Sequence, residues 1–198
     1  MANAFLDALA NTTSEIGSKL PKINPSERFA SISNAMSAPQ GVGSPKYVDM
    51  SLNSKNFKVG DTTPWGTITT IPGNSTRAEK SHPGIDIGNK RGTPIPSFAS
   101  GKVTEVVTGK KNDPVNGAYG NYVIVTDKDG NKHRYSHLTN SLVKIGDEVN
   151  RGQVVGGMGN SGFAYSTGGG DGTHLDYRIK DAYGKYVDPT IYLTGRSQ

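Results

Sequence analysis

Asn121-Tyr122-Val123-Ile124-Val125-Thr126, then Asp127-Lys128-Asp129-Gly130, then Lys132-His133-Arg134-Tyr135-Ser136-His137-Leu138: these three runs carry the fold class. The first run is rich in β-branched and aromatic residues, the tetrad after it is a hairpin signal, and the third run is the return strand. Working outward, Gly101-Lys102-Val103-Thr104-Glu105-Val106-Val107 alternates and stops near Gly109. Gly66-Thr67-Ile68-Thr69-Thr70-Ile71 is β-branched and ends at Pro72-Gly73. Gln153-Val154-Val155-Gly156 and His174-Leu175-Asp176-Tyr177-Arg178-Ile179 complete the set. Several short strands parted by turns, with hardly any helical periodicity, predict a mostly β, antiparallel and sandwich-like sheet fold with long loops.

The beginning of the chain departs from this pattern. Phe5, Leu6, Leu9, Ile16 and Leu20 are spaced for one short amphipathic helix over about residues 3–20, which Pro21 would end. From Asn24 to about Lys46, Pro, Ser and Gly dominate, as in a linker or a weakly ordered arm. The expected organisation is therefore a helix and arm over 1–45, a linker over 46–59, one domain over 60–192 and a tail over 193–198. Two readings of the N-terminal region stand side by side, a flexible tail or a segment that docks on a larger assembly.

Among 198 residues there are 26 glycines and 11 prolines, and 33% are hydrophobic, a balance that suits a turn-rich β protein. There is no cysteine, so disulfides and Cys-based metal sites are excluded, and a metal would have to be held by His and carboxylates. The opening residues lack a basic stretch and Asp7 interrupts their apolar run, so no signal peptide is expected. No run approaches the length of a membrane span. The net charge is +5, but Lys and Arg are scattered, with short clusters only at Lys90-Arg91 and Lys110-Lys111. Without a basic run interleaved with aromatics, no nucleic-acid partner is expected.

The chain has four histidines, and three sit in contexts suited to a site. Ser81-His82-Pro83-Gly84-Ile85-Asp86-Ile87-Gly88 places His82 and Asp86 four apart across a Pro-Gly pair that no regular helix accommodates. Asp86 lies between two isoleucines and so faces away from their apolar side. His137 ends its strand, with Tyr135 expected on the same face. His174 and Asp176, two apart in a strand, share a face opposite Leu175. His133 is expected as an exposed strand residue without a role, and Tyr119 and Tyr165 lie in loops that could flank a groove but are assigned none.

His82-Pro83-Gly84-Ile85-Asp86 followed by Gly92-Thr93-Pro94-Ile95-Pro96-Ser97-Phe98-Ala99-Ser100-Gly101-Lys102-Val103 resembles the first motif of the lysostaphin and LytM type of metallopeptidase, peptidase family M23. Gly120 to Val125, Tyr135-Ser136-His137-Leu138, Lys144 to Val149, Gly152-Gln153, Gly156, Gly159 and Ser161-Gly162 resemble its later parts, in the family's order, from about residue 60 to 192. The resemblance implies one zinc ion bound by His82, Asp86 and the residue at position 176, with His137 and His174 as the catalytic pair. The family pattern has histidine at 176, whereas this chain has Asp176. Asp176 is the expected third ligand, since a carboxylate oxygen is an ordinary zinc donor. It would add a second negative charge and so weaken the metal as a Lewis acid. His174 or a water as the replacement ligand, or a silent domain, are the other readings of that position. The implied activity is hydrolysis of the peptide cross-links of bacterial peptidoglycan, at the cell wall. A virion-associated enzyme that docks through its N-terminal segment, or a lysin freed by lysis, would bring it there. The alternative is a wall-binding or structural virion module that does not cleave.

Overall fold

Residues 47, 48, 50, 52, 56–76, 79–108, 118–166 and 169–194 are described by the structure, a computed structural model. The helix expected over 3–20 and the arm up to residue 45 lie outside the described residues. The strands are β1 (Thr62–Thr63), β2 (Gly66–Thr70), β3 (Ile85–Gly88), β4 (Pro94–Pro96), β5 (Gly101–Val107) and β6 (Asn121–Thr126). They continue with β7 (Lys132–Leu138), β8 (Asn140–Ser141), β9 (Glu148–Val149), β10 (Val154–Gly157), β11 (His174–Lys180) and β12 (Tyr186–Val187). One short helix, α1 (Thr190–Leu193), follows.

The expected antiparallel architecture is present. The main sheet runs β1-β2-β3-β11-β7-β6-β5-β9, with β12 on β11, and a second sheet runs β4-β10-β8. Its central hairpin, β6 and β7, turns where the sequence places it. Asp127 Oδ1 accepts the amides of Asp129 and Asn131 at 2.9 and 2.8 Å, and Gly130 supplies the positive φ of +81° that closes the turn. The stretch expected as a linker also contributes to this unit. Tyr47 bridges to Gln153, and Val48, Met50, Leu52 and Phe57 pack against the core.

Alternation on the central strands sorts their side chains into two sets. Ile85, Ile87, Leu175, Tyr177, Ile179 and Tyr135 enter the core with Trp65 and Phe98. Phe98 stands 4.7 Å from both Trp65 and Tyr177, ring centre to ring centre. The Tyr135 hydroxyl accepts the Phe98 amide at 2.7 Å, and burial pushes its pKa up to about 12. Asp86, Ser136 and Asp176 occupy the other face in register, Asp176 opposite both Asp86 and Ser136.

His133 corrects one expectation. It is fully buried on the core face, not exposed. Its Nδ1 meets the Tyr177 hydroxyl at 2.7 Å, its Nε2 meets Asp127 Oδ2 at 3.2 Å, and Tyr192 packs edge-on at 4.6 Å. A polar ring inside a sheet is accommodated because both nitrogens are satisfied. Burial, against the pull of Asp127, holds its pKa below the ordinary 6.5. The unfolded chain therefore takes up this proton first as pH falls from about 6.5, and folding stability drops over that window. His133→Gln is expected to cost about 1–3 kcal/mol through an orphaned partner and to flatten that drop. Urea midpoints measured against pH check this, and an unchanged slope would count against it.

Candidate metal centre

His82 stands in the loop that enters β3, Asp86 lies within β3, and Asp176 lies on β11 directly across from Asp86. The Pro83-Gly84 pair lets this loop run close against β11. A Cβ at Gly84 would lie 2.7 Å from the Tyr177 carbonyl oxygen and 3.0 Å from Asp176 Oδ1, so only glycine fits there. His82 Nε2 is 3.0 Å from Asp86 Oδ1 and 3.9 Å from Asp176 Oδ1. All three residues are buried, with 3%, 8% and 2% of their surfaces exposed.

His82 Nε2 and Asp86 Oδ1 lie 3.0 Å apart, paired with each other only when His82 is protonated, and neither has another hydrogen-bond partner. Buried polar atoms are almost always paired, so two orphans facing one point want a third party. Two carboxylates in direct cross-strand register also repel one another. A cation between the three donors answers both demands. Tetrahedral zinc with bonds of about 2.0–2.2 Å sets its donor atoms about 3.3 Å apart, and the distances found straddle that value. Among the described residues, His82, Asp86 and Asp176 are the group able to hold a metal ion.

The surroundings orient these donors. Glu79 Oε2 accepts from His82 Nδ1–H at 2.9 Å, which fixes the tautomer and leaves Nε2 to face Asp86. Burial pulls the His82 pKa down, but the Asp86 and Asp176 carboxylates outweigh it and raise it overall. The Asp176 carboxyl is pushed up by burial and pulled further down by Arg178. Sequence reasoning missed Glu79 as a partner and gave Arg178 no role. Arg178 was within reach of period-two alternation, two residues from Asp176 on the same strand face. Glu79 comes in through a loop, and only its spacing of three from His82 hints at it.

His137 and His174 are brought together, with ring centres 4.6 Å apart. His137 Nδ1–H donates to the Ser161 carbonyl and His174 Nδ1–H to that of Gly172, both at 2.7 Å, so each ring keeps Nε2 as its free acceptor. Tyr135 and His137 do not share a face as expected. His137 has φ +62°, the one non-glycine residue with positive φ among those described, and this twist swings its ring out of the core set. Burial, then the charge of His174, lowers the His137 pKa and keeps the ring neutral near pH 7. A cleft of about 390 Å³ opens over His137 and Asp176, and Tyr119, Phe163 and Tyr165 line it with Arg178 and Glu79. The two tyrosines thus flank the groove, as their loops allowed.

Known proteins resemble the chain over this region. The sequence profile of peptidase family M23 matches residues 80–189. The murein hydrolase activator NlpD of Salmonella dublin is 30% identical over 132 residues, which are 67% of this chain and 31% of that protein. The peptidoglycan DD-endopeptidase ShyA of Vibrio cholerae is 36% identical over 104 residues, 52% of this chain and 21% of that protein. Among solved structures, the catalytic domain of the antimicrobial peptidase lysostaphin from Staphylococcus simulans superposes with a TM-score of 0.55 at 25% identity. That match covers 66% of this chain and 93% of the domain. The chain spans about a third or less of the length of these two curated relatives.

Proposed function

The chain belongs to peptidase family M23, and from that premise we propose that it is a zinc-dependent endopeptidase hydrolysing the peptide cross-links of bacterial peptidoglycan. His82, Asp86 and Asp176 hold the metal in this reading, and His137 and His174 handle protons. The observation that carries it is the convergence of His82 Nε2 and Asp86 Oδ1, buried and orphaned, with Asp176 beneath an open cleft. The likeness to a DD-endopeptidase and to lysostaphin supports the substrate class.

Bound zinc would supply Lewis acidity, which polarises a scissile carbonyl and acidifies water. The protein's own residues do the rest. Glu79 keeps His82 in the tautomer that presents Nε2. Neutral His137 takes a proton at Nε2, and His174 beside it, when it carries a proton on Nε2 as well as on Nδ1, donates to the developing oxyanion or the leaving amine. The aromatic rim of the cleft confines an extended peptide. Delivery in a virion or by lysis rests on the docking reading of the N-terminal segment and is tested by fractionation with particles.

The purified protein is expected to carry one zinc per chain and to solubilise isolated wall sacculi with release of new amino termini. Chelation should stop this, and added zinc should restore it. Zinc at background level together with intact sacculi would instead identify a wall-binding module that does not cleave.

A further inference from the structure

The position at which the resemblance implies histidine holds a carboxylate, and the fold equips that carboxylate with a partner of its own. Arg178 Nε donates to both Asp176 oxygens, at 2.8 and 2.9 Å. The other end of the same guanidinium forks onto Glu79, Nη1 to Oε1 at 2.7 Å and Nη2 to Oε2 at 2.9 Å. Glu79 in turn binds His82 Nδ1. One planar cation therefore ties together the carboxylate at 176 and the group that aims His82. The Tyr119 ring centre lies 5.3 Å from its guanidinium carbon, and Gly84 leaves room for its Cγ. Arg178 is itself buried, with 6% of its surface exposed.

We propose that Arg178 is the positioning residue that lets Asp176 stand in for a histidine at the metal centre. This rests on the metal-site reading above and adds to it. A neutral His82 with Asp86 and Asp176 carries two negative charges, and Arg178, bound to Asp176, offsets one of them, which leaves the three donors and the guanidinium with one negative charge before Glu79 is counted. Glu79, the second anion on Arg178, is about a third exposed, with 31% of its side chain accessible, and water screens part of its charge. The guanidinium also fixes direction. With both Asp176 oxygens bound by one Nε–H, the carboxylate plane cannot rotate away from His82 and Asp86. A lysine would bring the charge without the fork.

A salt bridge that served the fold alone would change stability and leave metal affinity untouched, so the decisive measurement is zinc affinity. Competition with a chromophoric chelator, well below the melting temperature, compares the parent with Arg178→Lys, Arg178→Gln, Asp176→His, the double variant Asp176→His with Arg178→Gln, and His82→Ala. Circular dichroism confirms that each is folded. Both Arg178 variants are expected to bind zinc about 10- to 100-fold more weakly, as when a group orienting a ligand is lost. Asp176→His alone should also bind weakly, because Arg178, still paired with Glu79 but stripped of Asp176, then faces an imidazole and a divalent ion. The double variant should recover to within about tenfold of the parent, since it restores a neutral donor and removes the positive charge that faces it. Parental affinity in both folded Arg178 variants would overturn the proposal, and so would a double variant no tighter than Asp176→His. Failure of the metal reading itself looks different: the parent then binds no more zinc than His82→Ala.

Discussion

His82→Ala is expected to strip the protein of zinc and to lower wall hydrolysis by about three orders of magnitude or more, since several kcal/mol of barrier lowering would go with it. His82 is the one neutral donor of the proposed set, and its Nε2 is the buried atom from which both carboxylates are measured, at 3.0 and 3.9 Å. Without it, Asp86 and Asp176 face each other across β3 and β11 with Arg178 bound to one of them only. The same change has a pH signature in the metal-free protein. The His82 pKa is raised above 6.5, so protonated His82 stabilises the folded chain below that value, and the stabilisation is lost as pH rises through the raised pKa. His82→Ala should therefore cost the metal-free protein more stability at pH 5 to 6 than at pH 8. In the parent, zinc competes with that proton and should bind more tightly as pH rises. Metal analysis, sacculus solubilisation and thermal melts at two pH values check all three. An alanine variant that keeps stoichiometric zinc and cleaves would remove His82 from the set.

The sequence disclosed most of the architecture because its strands obey local rules. Asp127-Lys128-Asp129-Gly130 closes the β6–β7 hairpin through side-chain acceptors and a glycine that the turn requires. The alternation in β11 placed Leu175 in the core and Asp176 opposite it. Legibility ended where tertiary context overrides alternation. His133 and Tyr135 follow period two onto the core face, and a polar residue there is tolerated only because Tyr177 and Asp127, distant in sequence, meet both ring nitrogens. His137 breaks the alternation through a positive φ that no residue type announces, its carbonyl neighbour Ser161 lying 24 positions on. The His82–Asp86 pair could be read from a motif. The Glu79–Arg178 link spans 99 positions and comes in through a loop that no strand alternation places.

That left-handed turn also shapes the second large effect. His137→Ala and His137→Asn are both expected to retain zinc while kcat falls by about 10²–10⁴, the usual contribution of a placed general acid or base. Asparagine is the more informative variant, because it tolerates positive φ better than most residues and so keeps the strand end at φ +62° intact. The chemistry follows from the ring's two contacts. Nδ1–H is committed to the Ser161 carbonyl, so Nε2 is the atom left to accept a proton, and burial keeps it unprotonated near neutrality. The acid limb of the parent's pH–rate profile should accordingly lie below the ordinary imidazole value of 6.5. His137→Asn should lose that limb along with most of kcat, and KM should change little, because the ring takes part in proton transfer and not in holding the peptide. His174 stays beside the vacated position, so its own replacement by alanine on the His137→Asn background should cost less than it does in the parent. A His137→Asn protein that loses zinc in step with activity would make His137 a ligand, and one that cleaves at the parental rate would leave the proton transfer to His174 alone.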